Sequence, residues 1–278
     1  MLRRITYASV CPPVSCLAAA AIAVEAKKTV GRHALLDGDD LALEIDLPAL
    51  LDEVEFFDAQ TLLAWALERF GRRLAVATSF QIDGMAIIDM AWRIDPHVRI
   101  ITVDSGRLPS ETHALMDAVR EKYQVPIEVF YPNTAELEGF VRREGLNPFL
   151  RSVDLRKQCC SIRKVHPLRK VLGGLDAWVS GVRRDQYFTR SDAQPLEVDA
   201  ANGGLIKVNP LITRTEAEVW HYIREWDVPY NPLYDQGYTS IGCAPCTRAV
   251  APDAPPRAGR WWWEDGGHKE CGINYRTD

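Results

Sequence analysis

The chain has 278 residues, 47% apolar and 26% charged, a make-up that suits a folded domain and excludes wholesale disorder. Its 33 basic and 38 acidic residues give a net charge of −5, the wrong sign for a protein that coats nucleic acid. The body of the chain holds no uninterrupted apolar run of about 18 residues, so no membrane-spanning bundle is expected.

Met1-Leu2-Arg3-Arg4 followed by small and apolar residues to Ala26 has the outline of a signal peptide, but Pro12, Pro13, Cys11 and Cys16 interrupt it. Residues 1–50 are therefore expected to be a poorly ordered extension. It is strongly acidic towards its end: residues 37–58 hold nine Asp or Glu and no Lys or Arg. Leu47, Leu50, Leu51 and Val54 form one amphipathic piece.

From there helix and strand signals alternate. Asp58 is placed to cap a helix that runs to Phe70 and stops at Gly71. Arg73–Thr78 reads as a strand, and the loop SFQIDG (79–84) opens a helix through Trp92. Val98–Val103 is a second strand. The loop DSGRLPSET (104–112) opens a helix with Leu115, Met116, Val119 and Tyr123 on one face. Ile127–Tyr131, Ala177–Val182 and Ile206–Val208 complete five expected strands, with a helix at Thr134–Glu144 after the third. Thr213-x-x-Glu216 reads as a capping box before a helix that buries Val219, Trp220 and Ile223. This alternation predicts an α/β fold with a doubly wound, mostly parallel sheet. Residues 51–248 form the expected domain. The Pro- and Ala-rich stretch Ala249–Gly259 reads as a hinge, and 249–278 as a mobile C-terminal tail.

In such folds ligands bind beyond the carboxyl ends of the strands. The helix N-terminus after Ser79, Phe80 and Gln81 favours an anion, although Ser79 and Gly84 would suit any tight turn. Asp104 could meet a ribose hydroxyl or merely cap its own turn. In GVRRDQ (181–186), Arg183 and Arg184 are placed for a phosphate or sulfate clamp, or for a surface ion pair with Asp185. Charge supports a polyanionic ligand: residues 142–190 carry 12 Lys or Arg against 4 Asp or Glu. A solvated basic face is the plainer alternative.

Seven cysteines are too few for a disulfide scaffold. Cys159-Cys160 and Cys243-x-x-Cys246 together make four thiolates, a set for zinc or for a cubane iron–sulfur cluster. Adjacent cysteines fit one tetrahedral ion poorly and separate cubane corners well, which favours iron–sulfur. Four unrelated buried thiols are the remaining alternative. Lys157, Arg163 and Lys164 surround the first pair and would favour an anionic group there. Cys271, in HKECGIN between Lys269 and Asn274, is a candidate nucleophile with some thiolate character.

Taken together, DSGRLPSET, the CC and CxxC pairs, GVRRDQ, TEAEVW and KECG make the chain from Phe56 to Asn274 resemble the assimilatory sulfonucleotide reductases, in their iron–sulfur adenylyl-sulfate (APS) reductase branch. The fold that resemblance implies is that of the adenine nucleotide alpha-hydrolases. It implies a [4Fe-4S] cluster on Cys159, Cys160, Cys243 and Cys246, and Cys271 as the catalytic cysteine. Lys164 would link cluster and substrate, and Arg257 and Arg260 would bind the phosphosulfate. Ser79, Phe80 and Gln81 would form the phosphate loop, and Arg183 lies in the matching RRDQ element. Cys271 would take the sulfo group from APS, and thioredoxin would then release sulfite. The resemblance further implies a cytoplasmic enzyme with neither nucleic-acid nor membrane partners, compatible with a homo-oligomer. Two departures stand out. The family's ECG-x-H tail has Asn274 at the last position here, and SFQIDG lacks the double glycine of ATP pyrophosphatases. The alternatives are reduction of the 3′-phosphorylated nucleotide PAPS (alone or beside APS), an ATP-pyrophosphatase-type transferase, and a zinc-stapled binding module.

Overall fold

The structure is a computed structural model that describes residues 46–255 and 257–264. The chain divides after Glu44, and the described residues all belong to the second unit. Two helices lead in: α1 (Leu47–Val54), then α2 (Ala59–Phe70). Asp58 caps α2 by accepting the Thr61 N–H at 2.8 Å, and Gly71, at φ +50°, ends it. Both features match the reading of the sequence.

Six strands follow: β1 (Leu74–Ala77), β2 (Ile100–Val103), β3 (Ile127–Phe130), β4 (Ala177–Val179), β5 (Leu196–Asp199) and β6 (Leu205–Val208). They form one sheet in the order β3-β2-β1-β4-β6-β5, parallel except for β5. Between the strands run α3 (Ile82–Ile94), α4 (Ser110–Tyr123), α5 (Thr134–Glu144), α6 (Val153–Cys160) and α7 (His166–Leu172), and α8 (Glu216–Glu225) follows β6. The central strands are apolar on both sides because both sides are covered. Leu74, Val76, Ile100 and Val179 belong to one core layer with α3 and its neighbours, while Ala75, Ile101 and Trp178 pack with Leu168 and Leu172 of α7 on the other.

Two expectations are corrected. The strand at Ile206–Val208 is the sixth, because β5 was not foreseen. β5 pairs on one side only and reads Leu-Glu-Val-Asp, with Val198 exposed, and such a polar edge lacks the signal of a buried strand. The capping box before α8 is Thr215–Glu218, two residues beyond Thr213–Glu216. Both registers have the T-x-x-E spacing. Glu216 is drawn elsewhere, its carboxylate lying 3.7 Å from Arg183 and its N–H donating to Asp185. In α8, Val219 and Ile223 are buried and Trp220 is partly so.

Thr215→Ala should therefore lower stability by about 1 kcal/mol, the usual worth of a cap, while Thr213→Ala should stay within about 0.5 kcal/mol. Urea unfolding of both variants checks the register.

Candidate functional site: a nucleotide-sized cleft beside four thiols

The sheet order reverses between β1 and β4, since successive strands run one way to β3 and then the other way to β6. Such a switch point leaves a crevice at the carboxyl ends of the strands. A cleft of about 1570 Å³, counted out to its open mouth, lies there. Its floor includes Ala77 and Thr78 after β1, Val103 at the end of β2 and Ser180 after β4.

The cleft brings together most of the residues singled out from the sequence. Ser79, Gln81, Lys164, Arg183, Arg257 and Arg260 all line it. Phe80 and Asp104 do not. Phe80 adopts φ +57°, the left-handed region, its N–H bonds to Thr78 Oγ1 at 3.0 Å, and its ring is fully buried in the core. Its place is thus to turn the loop so that α3 points its N-terminus at the cleft. Asp104 spends one carboxylate oxygen on the Gly106 N–H at 2.7 Å and the other on His113 Nε2 at 2.8 Å. It shapes its own loop, the plainer of the two roles open to it in sequence.

Gln81 also has a structural task. Its Oε1 accepts the Ile241 N–H at 2.9 Å and its Nε2 donates to Ser79 Oγ at 3.1 Å. The loop at 79–84 is thereby tied to the segment that leads into Cys243.

The arginines divide by their partners. Arg183 faces carboxylates on three sides: Asp83 at 2.6 Å, Asp185, and Glu216 at 3.7 Å. Burial pushes the Asp83 carboxyl up, with Arg183 pulling it back, and burial likewise raises Glu216. Gln186 completes the knot by donating to the second Asp83 oxygen at 2.7 Å. Sequence reasoning missed the roles of Asp83, Gln186 and Glu216, because a polar residue in the first turn of a helix or in a loop carries no sign of which arginine it will meet. Arg260 differs. It is buried, its Nε donates to the Cys246 carbonyl at 3.3 Å, and its guanidinium lies 4.6 Å from the Trp261 ring centre. Among the described residues no carboxylate pairs with it. Gly242 is what lets it fit, since a Cβ there would come within 2.4 Å of the guanidinium.

Next to the cleft is a smaller hollow of about 300 Å³. Cys159 and Cys160, from the end of α6, line it together with Cys243 and Cys246 from the loop after Gly242. None of the four is joined in a disulfide. Several bonds fix the loop that carries the second pair. Ser105 Oγ lies 3.1 Å from Cys243 Sγ, the Ala244 N–H donates to the Arg107 carbonyl at 2.8 Å, and Thr247 Oγ1 donates to the Cys243 carbonyl at 2.9 Å. Arg107, Arg156, Arg163 and Lys164 also line the hollow. Burial raises the Cys159 thiol against the pull of Arg163, and burial aided by Cys243 pushes Cys246 up to about 12. Among the described residues, no three His, Cys, Asp or Glu side chains converge closely enough for a single metal ion. Arg163 Nε is buried and has no partner among them. Lys164 is the one residue that lines both cavities. Cys271 lies outside the described residues, as do Cys11, Cys16 and Asn274.

Comparison with known proteins agrees with this layout. Residues 73–249 match the phosphoadenosine phosphosulfate reductase domain. The chain belongs to that family. It is 43% identical over 243 residues to an adenosine 5′-phosphosulfate reductase of Pseudomonas aeruginosa (strain LESB58), covering 86% of this chain and 90% of that protein. It is 46% identical over 203 residues to an adenosine 5′-phosphosulfate reductase of Allochromatium vinosum, covering 73% and 79% respectively. A solved phosphoadenylyl-sulfate (PAPS) reductase from Candida auris superposes with a TM-score of 0.63 at 29% identity, over 73% of this chain and 96% of that one. The family match spans both cysteine pairs and the Arg183 knot, and ends before Arg257 and Arg260.

The Arg183 knot allows a graded test. Arg183 and Asp83 side chains are only 3% and 12% exposed, whereas Asp185 is 40% exposed. Asp83→Asn leaves a buried guanidinium short of its main partner and should cost about 3 kcal/mol or more. Asp185→Asn, at the wet end, should cost about 1 kcal/mol or less. Thermal and urea unfolding of the two variants measure the difference.

Proposed function

We propose that this protein reduces adenylyl sulfate (APS) to sulfite and AMP, as the assimilatory reductases named above do. The observation that carries the proposal is the adjacency of the two cavities: a nucleotide-sized cleft with Lys164, Arg257 and Arg260 on its wall, and a four-thiol hollow that shares Lys164 with it. The adenylate would lie over the ends of β1, β2 and β4. The phosphosulfate would point to the three cations, because a dianion gains most where charge is buried and fixed.

Cys271 is the proposed nucleophile. Its thiolate forms a bond to the sulfur of APS while the S–O bond to AMP breaks and the electron pair leaves with AMP. The sulfo group remains as Cys271–S–SO₃⁻. A dithiol donor, thioredoxin in this reading, then attacks the Cys271 sulfur and expels sulfite. Its second thiol closes a disulfide and returns Cys271 as a thiol, two electrons having been supplied. Residues 249–278 act in this scheme as the hinge and catalytic tail, and α1 belongs with the domain that precedes them, since Leu47 and Leu50 pack on its core. Exchange with a dithiol donor, and four thiols outside any disulfide, suit a reducing compartment such as the cytoplasm.

The hollow suits a [4Fe-4S] cluster on Cys159, Cys160, Cys243 and Cys246. Adjacent cysteines such as Cys159 and Cys160 fit a single tetrahedral zinc ion poorly. A cubane takes each thiolate at a separate corner. The unpartnered Arg163 Nε and the other cations on the wall suit an anionic group. Bound there, the cluster would supply fixed negative charge beside the substrate site. The chain's own part is to hold Lys164 between the two. Reduction of PAPS is the neighbouring reading, and assays with both nucleotides separate them.

Two outcomes are expected. After incubation with APS and no donor, intact-mass spectrometry should show one added SO₃ group on Cys271, and Cys271→Ser should show none while retaining its iron. Absence of the adduct in protein that binds APS overturns the nucleophile. Arg257→Ala should weaken APS binding by roughly 1.5–3 kcal/mol, the worth of a charge-assisted hydrogen bond. Equilibrium binding measures this.

A further inference from the structure

The segment that joins the first cysteine pair to Lys164 is not α-helical throughout. α6 ends at Cys160, Ser161–Val165 form a π turn, and α7 begins at His166. At about 100° per residue, residues five apart in an α-helix lie about 140° apart around the axis, so their side chains diverge. In a π turn the N–H of residue i+5 bonds to the carbonyl of residue i, which brings the two into line. The His166 N–H does bond to the Ser161 carbonyl. The side chains repeat the pairing: Ser161 Oγ and His166 Nε2 are 2.9 Å apart. This contact exists only because the turn is π.

His166 is held from outside as well. Its Nδ1 lies 2.8 Å from Glu136 Oε1 on α5. Held between the Glu136 carboxylate and the Ser161 hydroxyl, the ring is fixed in orientation at both nitrogens. Glu, His and Ser stand here in the order of a hydrolase triad, but hydrolysis does not fit. Neither cavity is lined by Ser161 or His166, and the Ser161 N–H is spent on the carbonyls of Lys157 and Gln158.

We propose that Glu136, His166 and Ser161 form a clasp that stabilises the π turn and so positions Lys164. Lys164 lies inside the π turn, so the path of the turn sets the direction of its side chain. With the π turn, both Cys159 and Lys164 reach the hollow, and Lys164 also reaches the cleft. The three residues touch neither cavity and act through Lys164, so they are positioning residues. π turns are rare and less stable than α-helix, so one at this point needs a local compensation. The inference rests on reading the cleft as the APS site.

The test uses anaerobically purified, iron-loaded protein with equilibrium binding of APS and amide hydrogen exchange. Ser161→Ala should weaken APS binding roughly three- to tenfold, the range of one hydrogen bond. Ser161→Thr, which keeps a hydroxyl, should restore it. In a Lys164→Ala background, Ser161→Ala should have no further effect on binding. Amides 165 and 166 should exchange about tenfold faster in Ser161→Ala and His166→Ala, with the melting temperature little changed. Unchanged APS affinity in Ser161→Ala, or an equal loss with and without Lys164, overturns the clasp. If the wild type does not bind APS, the reading of the cleft fails, and exchange alone then decides: unchanged protection at 165 and 166 overturns the clasp too.

Discussion

Buried positive charge without matching carboxylate is the constraint around which this site is built. Arg260 and Arg163 are both buried, and among the described residues they meet carbonyls, a hydroxyl, a thiol and an aromatic face. A charge held in this way is costly unless an anion is brought to it. Arg156 and Arg183 show the contrasting arrangement. Arg156 pairs with Glu264 at 2.9 Å, and Arg183 is enclosed by Asp83, Asp185 and Glu216. The same residue type is thus enclosed by acids in one part of the site and left without them in another.

Trp261 links these groups. It is buried at φ +42°, with Arg156 and Arg260 lying 4.4 and 4.6 Å from its ring centre. Each contact is worth up to about 2 kcal/mol when desolvated. The indole orders the stretch from Arg257 to Glu264 against the hollow, and that stretch leads into the residues around Cys271. The nucleotide loop, the CxxC loop and this stretch are joined by a few bonds: Gln81 to Ile241, Arg107 to Ala244, and Arg248 to Gly259 at 3.1 Å.

Much of the fold was legible because it depends on local rules. Asp58 before a helix and Gly71 after it are cap signals, and a two-sided apolar strand such as Leu74–Ala77 has no other plausible home. The misses are equally physical. β5 is a charged edge whose partner is set by the sheet, and the two T-x-x-E registers before α8 differ only in what Glu216 finds across space. In the site, the spacing of the cysteines was plain. The roles of Phe80, Gln81 and Asp104 were not, because each faces a partner distant in sequence or turns its own loop.

The sequence by itself determined the alternating α/β order, the two cysteine pairs and the basic stretch between Arg142 and Arg190, since these follow from residue type and spacing. Tertiary structure alone decided which of those cations meet a carboxylate. A guanidinium's partner is fixed by distance in space, and Asp83 stands 100 positions from Arg183 in the chain. It also decided that Ser161–Val165 leave the α-helical path, because the Glu136 that holds His166 comes from another helix.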